Sequence, residues 1–334
     1  MNGPDRAPGA GPPGGQPTAA GPAGMTRRQL LPHGSWFGAA VALSVVGGEV
    51  TSHLTGTPAG AAAVNDPRAL RFAQISDSHV GFRVPAVNPN ALDTLKEAIA
   101  KVGALPAKPA FMIHTGDITH LTHPDQFDDA AQVIGTARLD VHYVPGEHDL
   151  LDDDTPGKAY LERYGKNTKG AGWYSFDQNG VHFIGLVNVV NLQPGGMGKL
   201  GAEQITWLAD DVKTLSASTP IVVFAHIPLW TIYKDWGWGT DDAEQALSML
   251  KRFGSLTVLN GHIHQIIQKV EGNASFHTAR STGFLQPAPG VGPGPVPLAV
   301  PADRLRSVLG IRNVNYVQGK EVLATIDQTL ASSN

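Results

Sequence analysis

The sequence predicts an α/β sandwich in which two β-sheets are flanked by helices. Three observations lead to this fold class. From Leu70 onward, short runs of β-branched and aromatic residues alternate with amphipathic stretches whose apolar residues recur three and four positions apart. Asn179-Gly180 separates two strand patterns and is typical of a tight hairpin turn. Clusters of Asp and His directly follow several strand patterns, as at the ligand-binding edge of an open α/β sheet.

The individual elements follow from these patterns. Strands are predicted at 70–76, 110–115, 141–145, 174–177, 181–189, 221–226 and 256–260. Helices are predicted at 91–102, 124–134, 202–215 and 242–253, and a final hairpin at 311–326. The chain therefore divides into a leader at 1–64, a catalytic domain at 65–284 and a C-terminal region at 285–334. The Pro- and Gly-rich part of that region, 285–300, is expected to wrap the surface as an extended arm.

Composition restricts the partners and the chemistry. The 334 residues, 42% of them hydrophobic, are enough for one substantial core with extensions. The net charge of -4 and the absence of any Lys/Arg-rich run argue against a nucleic-acid partner. The chain contains no cysteine, which excludes disulfides, thiolate nucleophiles and sulfur-ligated zinc. Any metal must therefore be held by nitrogen and oxygen ligands.

The leader has the order of an export signal. Residues 1–24 are mostly Gly, Pro and Ala and are expected to be disordered. Arg27 and Arg28 form a twin-arginine pattern, followed by an apolar run at 36–46 and small residues at 61–63. We therefore expect export to the periplasm or the exterior, with transient contact with the twin-arginine machinery. Because a bilayer span needs about 20 apolar residues, no stable membrane span is expected. The alternative is a basic, flexible tail with chance arginines.

Five chemically similar segments each come directly after a predicted strand. They are Asp77-Ser78-His79, Gly116-Asp117, Gly146-Glu147-His148-Asp149, His226 and Gly261-His262-Ile263-His264. Open α/β sheets bind ligands outside the carboxyl ends of their strands, so these segments should converge on one site. Asp and His supply the oxygen and nitrogen ligands that a cysteine-free metal site requires.

The spacing within two of these segments favours paired ligands. In extended backbone, residues two apart point the same way, so Asp77 and His79 should aim at one place, as should His262 and His264. A glycine precedes three of the candidate residues: Gly116, Gly146 and Gly261. Glycine suits a backbone that turns sharply or approaches an ion closely. With 39 Gly and 13 His, a Gly-His-x-His match is expected only about 0.06 times by chance.

In this order the motifs resemble those of the calcineurin-like metallophosphoesterases: Asp-x-His, Gly-Asp, Gly-Asn-His-Asp/Glu, His and Gly-His-x-His. The resemblance covers residues 70–281, and the branch with the class III cyclic-nucleotide phosphodiesterases is particularly similar. It implies a four-layer α/β/β/α sandwich and a hydrolase of small phosphate esters, with phosphodiesters somewhat favoured over monoesters. It also implies two divalent or trivalent metal ions, with Mn, Fe, Zn and Co all compatible with the donors.

The resemblance also implies a role for each motif residue. The first metal would be held by Asp77, His79 and His264, and the second by His226 and His262. Asp117 would bridge the two ions, which would activate a hydroxide made from water. His148 would act as general acid, and Asp149 is expected to orient its ring.

Glu147 is where the chain departs from the family pattern, which has Asn at this position. It would complete the second metal site. An added carboxylate should make the second ion a weaker Lewis acid. The alternative function is therefore a catalytically weak protein that binds metal or serves as a sensor.

The other histidines and two loops complete the candidates. Four histidines are expected to be hydrogen-bonded core residues: His114, His142, His182 and His277. His120 and His123 follow Asp117 closely enough to reach metal or substrate. Substrate contacts are predicted for Arg83 and Asn88 in segment 81–90, and for Trp230 and Trp236 in the aromatic segment 230–238. The alternatives are a solvated loop for the first segment and packing against the C-terminal region for the second.

Overall fold

The computed structural model describes residues 40–46, 49–55, 69–152, 155–317 and 324–331. The twin arginines and residues 1–24 lie outside the described residues.

Two strands of the N-terminal segment are described. Strands β1 (Ala40–Val46) and β2 (Glu49–Thr55) form an antiparallel pair that the sequence analysis does not predict. This pair belongs to a unit distinct from the rest of the described residues. Within the described residues, no helix has the length and apolar character needed to cross a membrane.

The first large sheet has five strands in the order β13-β12-β3-β4-β5. Its strands are β3 (Ala69–Ile75), β4 (Phe111–His114), β5 (Asp140–Tyr143), β12 (Gly310–Val317) and β13 (Ala324–Thr329). β3, β4 and β5 are parallel, and β12 pairs antiparallel with both β3 and β13. The predicted C-terminal hairpin is therefore confirmed, and it completes the sheet that carries the first three motifs.

The second large sheet has six strands in the order β10-β11-β9-β8-β7-β6. Its strands are β6 (Tyr174–Gln178), β7 (Val181–Gly185), β8 (Ile221–Ala225), β9 (Leu256–Asn260), β10 (Gln268–Glu271) and β11 (Ala274–Thr278). The four inner strands are parallel, and the two edge strands are antiparallel to their neighbours. Asn179 and Gly180 both have positive φ, 49° and 76°, as a type I′ turn requires, so the predicted hairpin is confirmed.

Helices cover the outer face of each sheet. They are α1 (Ala91–Gly103), α2 (Pro124–Gly135), α3 (Lys158–Tyr164), α4 (Ala202–Val212), α5 (Ala243–Leu250) and α6 (Leu305–Val308). α1 and α2 bury Leu95 and Phe127 on the five-stranded sheet, whereas α4 and α5 bury Leu208 and Leu250 on the six-stranded sheet. A third cluster lies between the sheets and contains Phe72, Phe111, Phe183 and Phe224. The four-layer α/β/β/α sandwich is thus confirmed.

Some predicted boundaries are wrong. The strand predicted at 181–189 ends at Gly185, because the Gln204 side chain takes over the backbone groups of Val187. Gln204 Oε1 accepts from the Val187 N–H at 2.8 Å, and its Nε2 donates to the Val187 carbonyl at 2.6 Å. The helices predicted at 202–215 and 242–253 are also shorter than expected.

The C-terminal segment 285–300 is not the extended arm that its composition predicts. Leu285 and Leu298 form an antiparallel bridge, and the Leu298 N–H donates to the Leu285 carbonyl at 2.8 Å. Gly290 and Gly292 have positive φ, 73° and 94°, which lets the chain reverse between the bridged residues. The segment is therefore a closed loop.

A buried arginine connects the two sheets beneath the carboxyl ends of their strands. Arg312 on β12 is 1% exposed and forms two bonds to the Asp327 carboxylate, at 2.8 and 3.0 Å. It also donates to the Thr278 carbonyl at the end of β11 and to Gln74 Oε1 on β3. Gln74 Nε2 in turn donates to Thr115 Oγ1. The C-terminal hairpin is therefore bonded to both sheets next to the motif loops.

Of the four histidines expected to be hydrogen-bonded core residues, His114 and His182 fit, whereas His142 is half-buried and His277 Nδ1 is buried without a partner. His114 is fully buried beside Ser78, and burial lowers its pKa to about 3. Burial likewise lowers the pKa of His277 to about 3. His142 stacks on Phe176, and His182 is bonded to two carboxylates, as described next.

We expect His182 to make folding stability depend on pH. Its ring nitrogens lie 2.8 Å from Asp177 and 2.9 Å from Asp211. Burial lowers the pKa of His182, but the bonds to Asp211 and Asp177 outweigh it and raise the pKa above its usual value. The stabilisation is thus fully present below the unfolded-state pKa of about 6.5 and is lost as pH rises through the folded-state pKa. His182→Gln should destabilise the protein more at about pH 5.5 than at about pH 9 in urea unfolding. An equal loss at both pH values would contradict this.

Candidate metal centre

The first group of potential metal ligands is fully buried. Asp77, His79, Asp117 and His264 each offer one ligand atom, and these atoms all lie within 4.8 Å of one another. Nε2 of His79 lies 3.2 Å from Nε2 of His264 and 3.4 Å from Oδ2 of Asp117. Nε2 of His264 lies 3.4 Å from Oδ1 of Asp77. The group thus combines two imidazoles and two carboxylates.

The second group consists of Glu147, His226 and His262. The two Glu147 oxygens reach one histidine each, with Oε2 lying 2.9 Å from His226 Nε2 and Oε1 lying 2.9 Å from His262 Nδ1. Glu147 follows β5 in the five-stranded sheet, whereas the histidines follow β8 and β9 in the other sheet. The site therefore lies across the carboxyl ends of both sheets.

Asp117 lies between the two groups. Its Oδ2 is 3.4 Å from His79 Nε2 in the first group and 3.5 Å from His226 Nε2 in the second. Its other oxygen, Oδ1, accepts the backbone N–H of His148 at 2.9 Å. That bond holds the carboxylate with one oxygen directed at both groups, as a bridging ligand requires.

The backbone of the ligand loops is not extended, so the alternation argument for paired ligands is wrong. Five of the non-glycine residues with positive φ carry candidate ligands: Asp77 at 53°, His79 at 42°, Asp117 at 52°, His262 at 69° and His264 at 55°. His262 and His264 consequently enter different groups. Left-handed conformations cost energy outside glycine and persist only where surrounding bonds fix them. Here the Asp77 N–H donates to the Gly116 carbonyl, and the His79 N–H to the Asp117 carbonyl.

The three motif glycines allow the loops to approach one another closely, as their positions suggest. A Cβ on Gly146 would overlap Asp117, and a Cβ on Gly261 would overlap Ser76 and Asp77. On Gly116 it would meet the His226 ring at 2.5 Å. A side chain at any of these positions would displace a candidate ligand.

Backbone carbonyls fix the orientation of two histidine rings. Nδ1 of His226 donates to the Thr115 carbonyl at 2.7 Å, and Nδ1 of His264 donates to the Phe284 carbonyl at 2.6 Å. Because a carbonyl can only accept, each Nδ1 carries a proton, and each Nε2 is the ring nitrogen directed at the centre. The Phe284 ring also packs 4.6 Å from His79. No motif or periodicity of the sequence marks Thr115 or Phe284. Phe284 lies beyond β11, a strand that the analysis did not predict.

The electrostatics of these side chains differ. Burial lowers the pKa of His226, but the Asp117 and Glu147 carboxylates outweigh it and hold the pKa well above its usual value. Burial, together with His148 and His264, holds the pKa of His79 well below its usual value, so the ring is neutral. Burial raises the pKa of Glu147, but His262 and His226 outweigh it and hold the pKa well below its usual value. Glu147 is therefore ionised.

Two polar atoms of the centre are buried without a hydrogen-bond partner. They are Asp77 Oδ2 and His262 Nε2. Buried polar atoms in proteins are normally satisfied, by protein, water or metal. A mixed set of imidazoles and carboxylates with free lone pairs fits a pair of cations with nitrogen and oxygen preferences.

His148 lies against this centre, but Asp149 does not orient it. Nδ1 of His148 donates to the His120 carbonyl at 2.7 Å, and one ring nitrogen lies within 4.8 Å of the Asp117 and Glu147 carboxylates. The Asp149 carboxylate is fully occupied elsewhere, by bonds from the backbone N–H groups of Ile118, Thr119 and Gly146 and from the Thr119 hydroxyl. The predicted role of Asp149 is therefore wrong. It instead ties the loops after β4 and β5 together.

Of the two further histidine candidates, only His120 lies in the centre. Its Nδ1 is 3.4 Å from Nδ1 of His79, and its ring stacks on His148 with centroids 5.1 Å apart. His123 is exposed at the start of α2.

The structure assigns structural contacts to several residues predicted to bind substrate. Asn88 is 1% exposed, and its Nδ2 donates to Thr94 and to the Gly283 carbonyl, so the predicted substrate contact is wrong. Arg83 is exposed on the loop before α1.

The aromatic segment packs mainly on the protein itself. Trp230 packs on Phe276 of β11, and Trp236 packs on Trp238 and Tyr233. These contacts are with β11 and within the segment, whereas the C-terminal region named by the alternative is approached by Tyr233, whose ring lies beside Gly290.

The strand ends of this four-layer sandwich carry two groups of nitrogen and oxygen donors around a shared carboxylate. This arrangement defines a dimetal hydrolase fold. The sequence matches the calcineurin-like phosphoesterases over residues 70–266, more than half of the chain. The chain belongs to that family.

Comparison with known proteins agrees with this assignment. The chain is 26% identical over 190 residues to the serine/threonine-protein phosphatase CPPED1 of Danio rerio, covering 51% of this chain and 59% of that relative's length. It is 23% identical to the glycerophosphodiester phosphodiesterase GpdQ of Enterobacter lignolyticus, covering 64% and 77%. A dimetal phosphatase structure from Danio rerio has a TM-score of 0.54 at 14% identity, covering 78% of this chain and 99% of that one, which shows a shared fold.

Proposed function

We propose that the protein is a metal-dependent hydrolase of small phosphate esters, acting on phosphodiesters somewhat more readily than on monoesters. The position of Asp117 Oδ2 between the two donor groups, with His148 beside them, is the observation that carries this proposal. The preference for diesters is supported by relatives described as a glycerophosphodiester phosphodiesterase and a probable cyclic nucleotide phosphodiesterase.

The proposed ligands divide between two ions. Asp77, His79 and His264 would hold the first ion, Glu147, His226 and His262 would hold the second, and Asp117 would belong to both. Two bound ions supply a nucleophile from water at neutral pH and neutralise the phosphoryl oxygens. Mn, Fe, Zn and Co remain compatible with these donors.

His148 would donate the proton that the leaving alkoxide needs. Because Nδ1 is bonded to the His120 carbonyl, the other ring nitrogen, Nε2, is available for the transfer. Burial lowers the pKa of His148, but the Asp117 and Glu147 carboxylates outweigh it and raise the pKa above its usual value.

The direct test is turnover together with metal content. Purified protein loaded with Mn²⁺ should hydrolyse bis-p-nitrophenyl phosphate faster than p-nitrophenyl phosphate. Elemental analysis should find two ions per chain. Two bound ions without turnover of either ester would support the alternative, a metal-binding or sensing protein in which Glu147 has weakened catalysis.

Glu147→Asn is expected to raise turnover or redirect it between monoesters and diesters. The change removes a negative charge that contacts His226 and His262, so the second ion becomes a stronger Lewis acid but is held less tightly. We expect a change of about 10-fold in kcat and a rise in the metal concentration needed for half-maximal activity. Unchanged rate and metal content would show that Glu147 is not a ligand.

We also propose export by the twin-arginine route to the periplasm or the exterior, on the sequence order of the leader. Replacing Arg27 and Arg28 together by Lys should leave the full-length chain in the cytoplasm on cell fractionation. Unchanged export of the double variant would contradict this route.

A further inference from the structure

Exposed apolar side chains lie on loops at the carboxyl ends of the strands, the edge of the sheets that carries the metal centre. Four large hydrophobic residues are 42–49% exposed on the loops that follow β4, β5 and β7: Leu121, Leu151, Val190 and Leu192. We call this set the apolar rim. We infer that the rim receives an apolar leaving group, so that the preferred substrates are phosphate esters of alkyl or aryl alcohols. This inference rests on the proposed function.

The first two rim residues are joined beside His148. The Thr122 hydroxyl donates to the His148 carbonyl at 2.7 Å and accepts the Leu151 N–H at 2.9 Å. Leu121 directly precedes Thr122, and its own N–H is held by Gln126 at 2.8 Å. The two exposed leucines therefore flank the residue that protonates the leaving group.

The other two rim residues lie on a loop packed against the same region. Leu150 packs on a buried cluster made of Trp173, Val187, Val189 and Ile227. Val187 and Val189 belong to the loop after β7, which continues to Val190 and Leu192. Ile227 directly follows the proposed ligand His226. The cluster therefore holds the loop after β7 against the loop that carries His148.

The chemistry of these loops favours an uncharged, apolar group. Segments 118–123, 150–152 and 186–193 contain no Lys or Arg that could pair with an anionic leaving group. Single exposed hydrophobic residues are common, but a group of them on adjoining loops at a cleft marks a binding surface. Because His148 must reach the leaving oxygen, the alcohol part of the ester lies at this rim.

A series of alkyl esters tests the inference. The substrates are n-alkyl methyl phosphodiesters and n-alkyl monophosphates, from ethyl to octyl, because their alkanol leaving groups differ in apolar area but hardly in pKa. If the phosphodiesters are hydrolysed, release of the alkanol is measured. If the monophosphates are hydrolysed, release of phosphate is measured. We expect kcat/KM to rise about two- to fourfold per added methylene until the rim is covered.

Two variants test whether the apolar rim causes the dependence of kcat/KM on chain length. Leu121→Asn with Leu151→Asn should flatten the dependence of kcat/KM on chain length, measured as the ratio of the octyl to the ethyl ester. Val270→Asn is the matched control, because Val270 is 76% exposed on edge strand β10, away from the loops of the rim, and should keep the full dependence.

The outcomes separate this inference from the proposed function. Hydrolysis without dependence on chain length, or with the same dependence in the double variant, overturns the inference and leaves the esterase function intact. Absence of hydrolysis in both series, with metals bound, overturns the proposed function and the inference with it.

Discussion

Replacement of His148 by Gln is expected to lower kcat for a phosphodiester by about 10²- to 10⁴-fold, because a general acid contributes roughly that factor. Gln keeps a polar group of similar size but carries no proton to transfer. His148 is not among the proposed ligands, so metal content should be unchanged. The measurement is steady-state hydrolysis of bis-p-nitrophenyl phosphate, with elemental analysis of the same sample.

The matched control is His123→Gln. His123 lies six residues past Asp117 on the same loop, but it is exposed at the start of α2 and lies outside both ligand groups. It should keep the parental rate. A loss of metal in His148→Gln, or an equal loss of rate in the two variants, would contradict the role of general acid.

Asp327→Ala is expected to lower the free energy of unfolding by about 3 kcal/mol, because removing one partner of a buried ion pair leaves the other charge uncompensated. Arg312 is fully buried, and the Asp327 carboxylate accepts two of its bonds. Urea unfolding followed by circular dichroism measures the loss. Since Arg312 also bonds Gln74, which bonds Thr115 under His226, we expect metal affinity to fall as well.

The control is Glu97→Ala, which removes the carboxylate that pairs with Arg306 on the surface. Both side chains of that pair are more than a third exposed, and such pairs contribute less than about 1 kcal/mol. Similar losses in the two variants would show that burial does not strengthen the Arg312–Asp327 pair.

The sequence was sufficient for the layers and for the convergence of the motifs, because both depend on patterns that a single chain carries. Periodicity reports which face of an element is buried, and the position of Asp and His after each strand places them at one edge. Neither pattern predicts whether a loop residue has a positive or a negative φ. Asp77 and His262 adopt left-handed backbone because of bonds to loops distant in sequence, so the expected extended geometry was wrong.

Residues that act through their backbone were also invisible in the sequence. Thr115 and Phe284 contribute carbonyls to His226 and His264, and any residue type could do so. Asp149 was misjudged because its side chain, and not its backbone, suggested a role. Its carboxylate looked catalytic beside His148, but three backbone N–H groups of neighbouring loops satisfy it.

The pairing of β3 with β12 has a consequence for synthesis of the chain. β3 is the first strand of the sandwich, and its partner begins at Gly310, about 240 residues later by sequence position. Its edge therefore stays unpaired while the ribosome makes almost the whole domain, and exposed strand edges recruit other chains. Truncation before Gly310 should therefore yield aggregates instead of a smaller soluble domain. Whatever protects this edge in the cell must act until the last hairpin emerges.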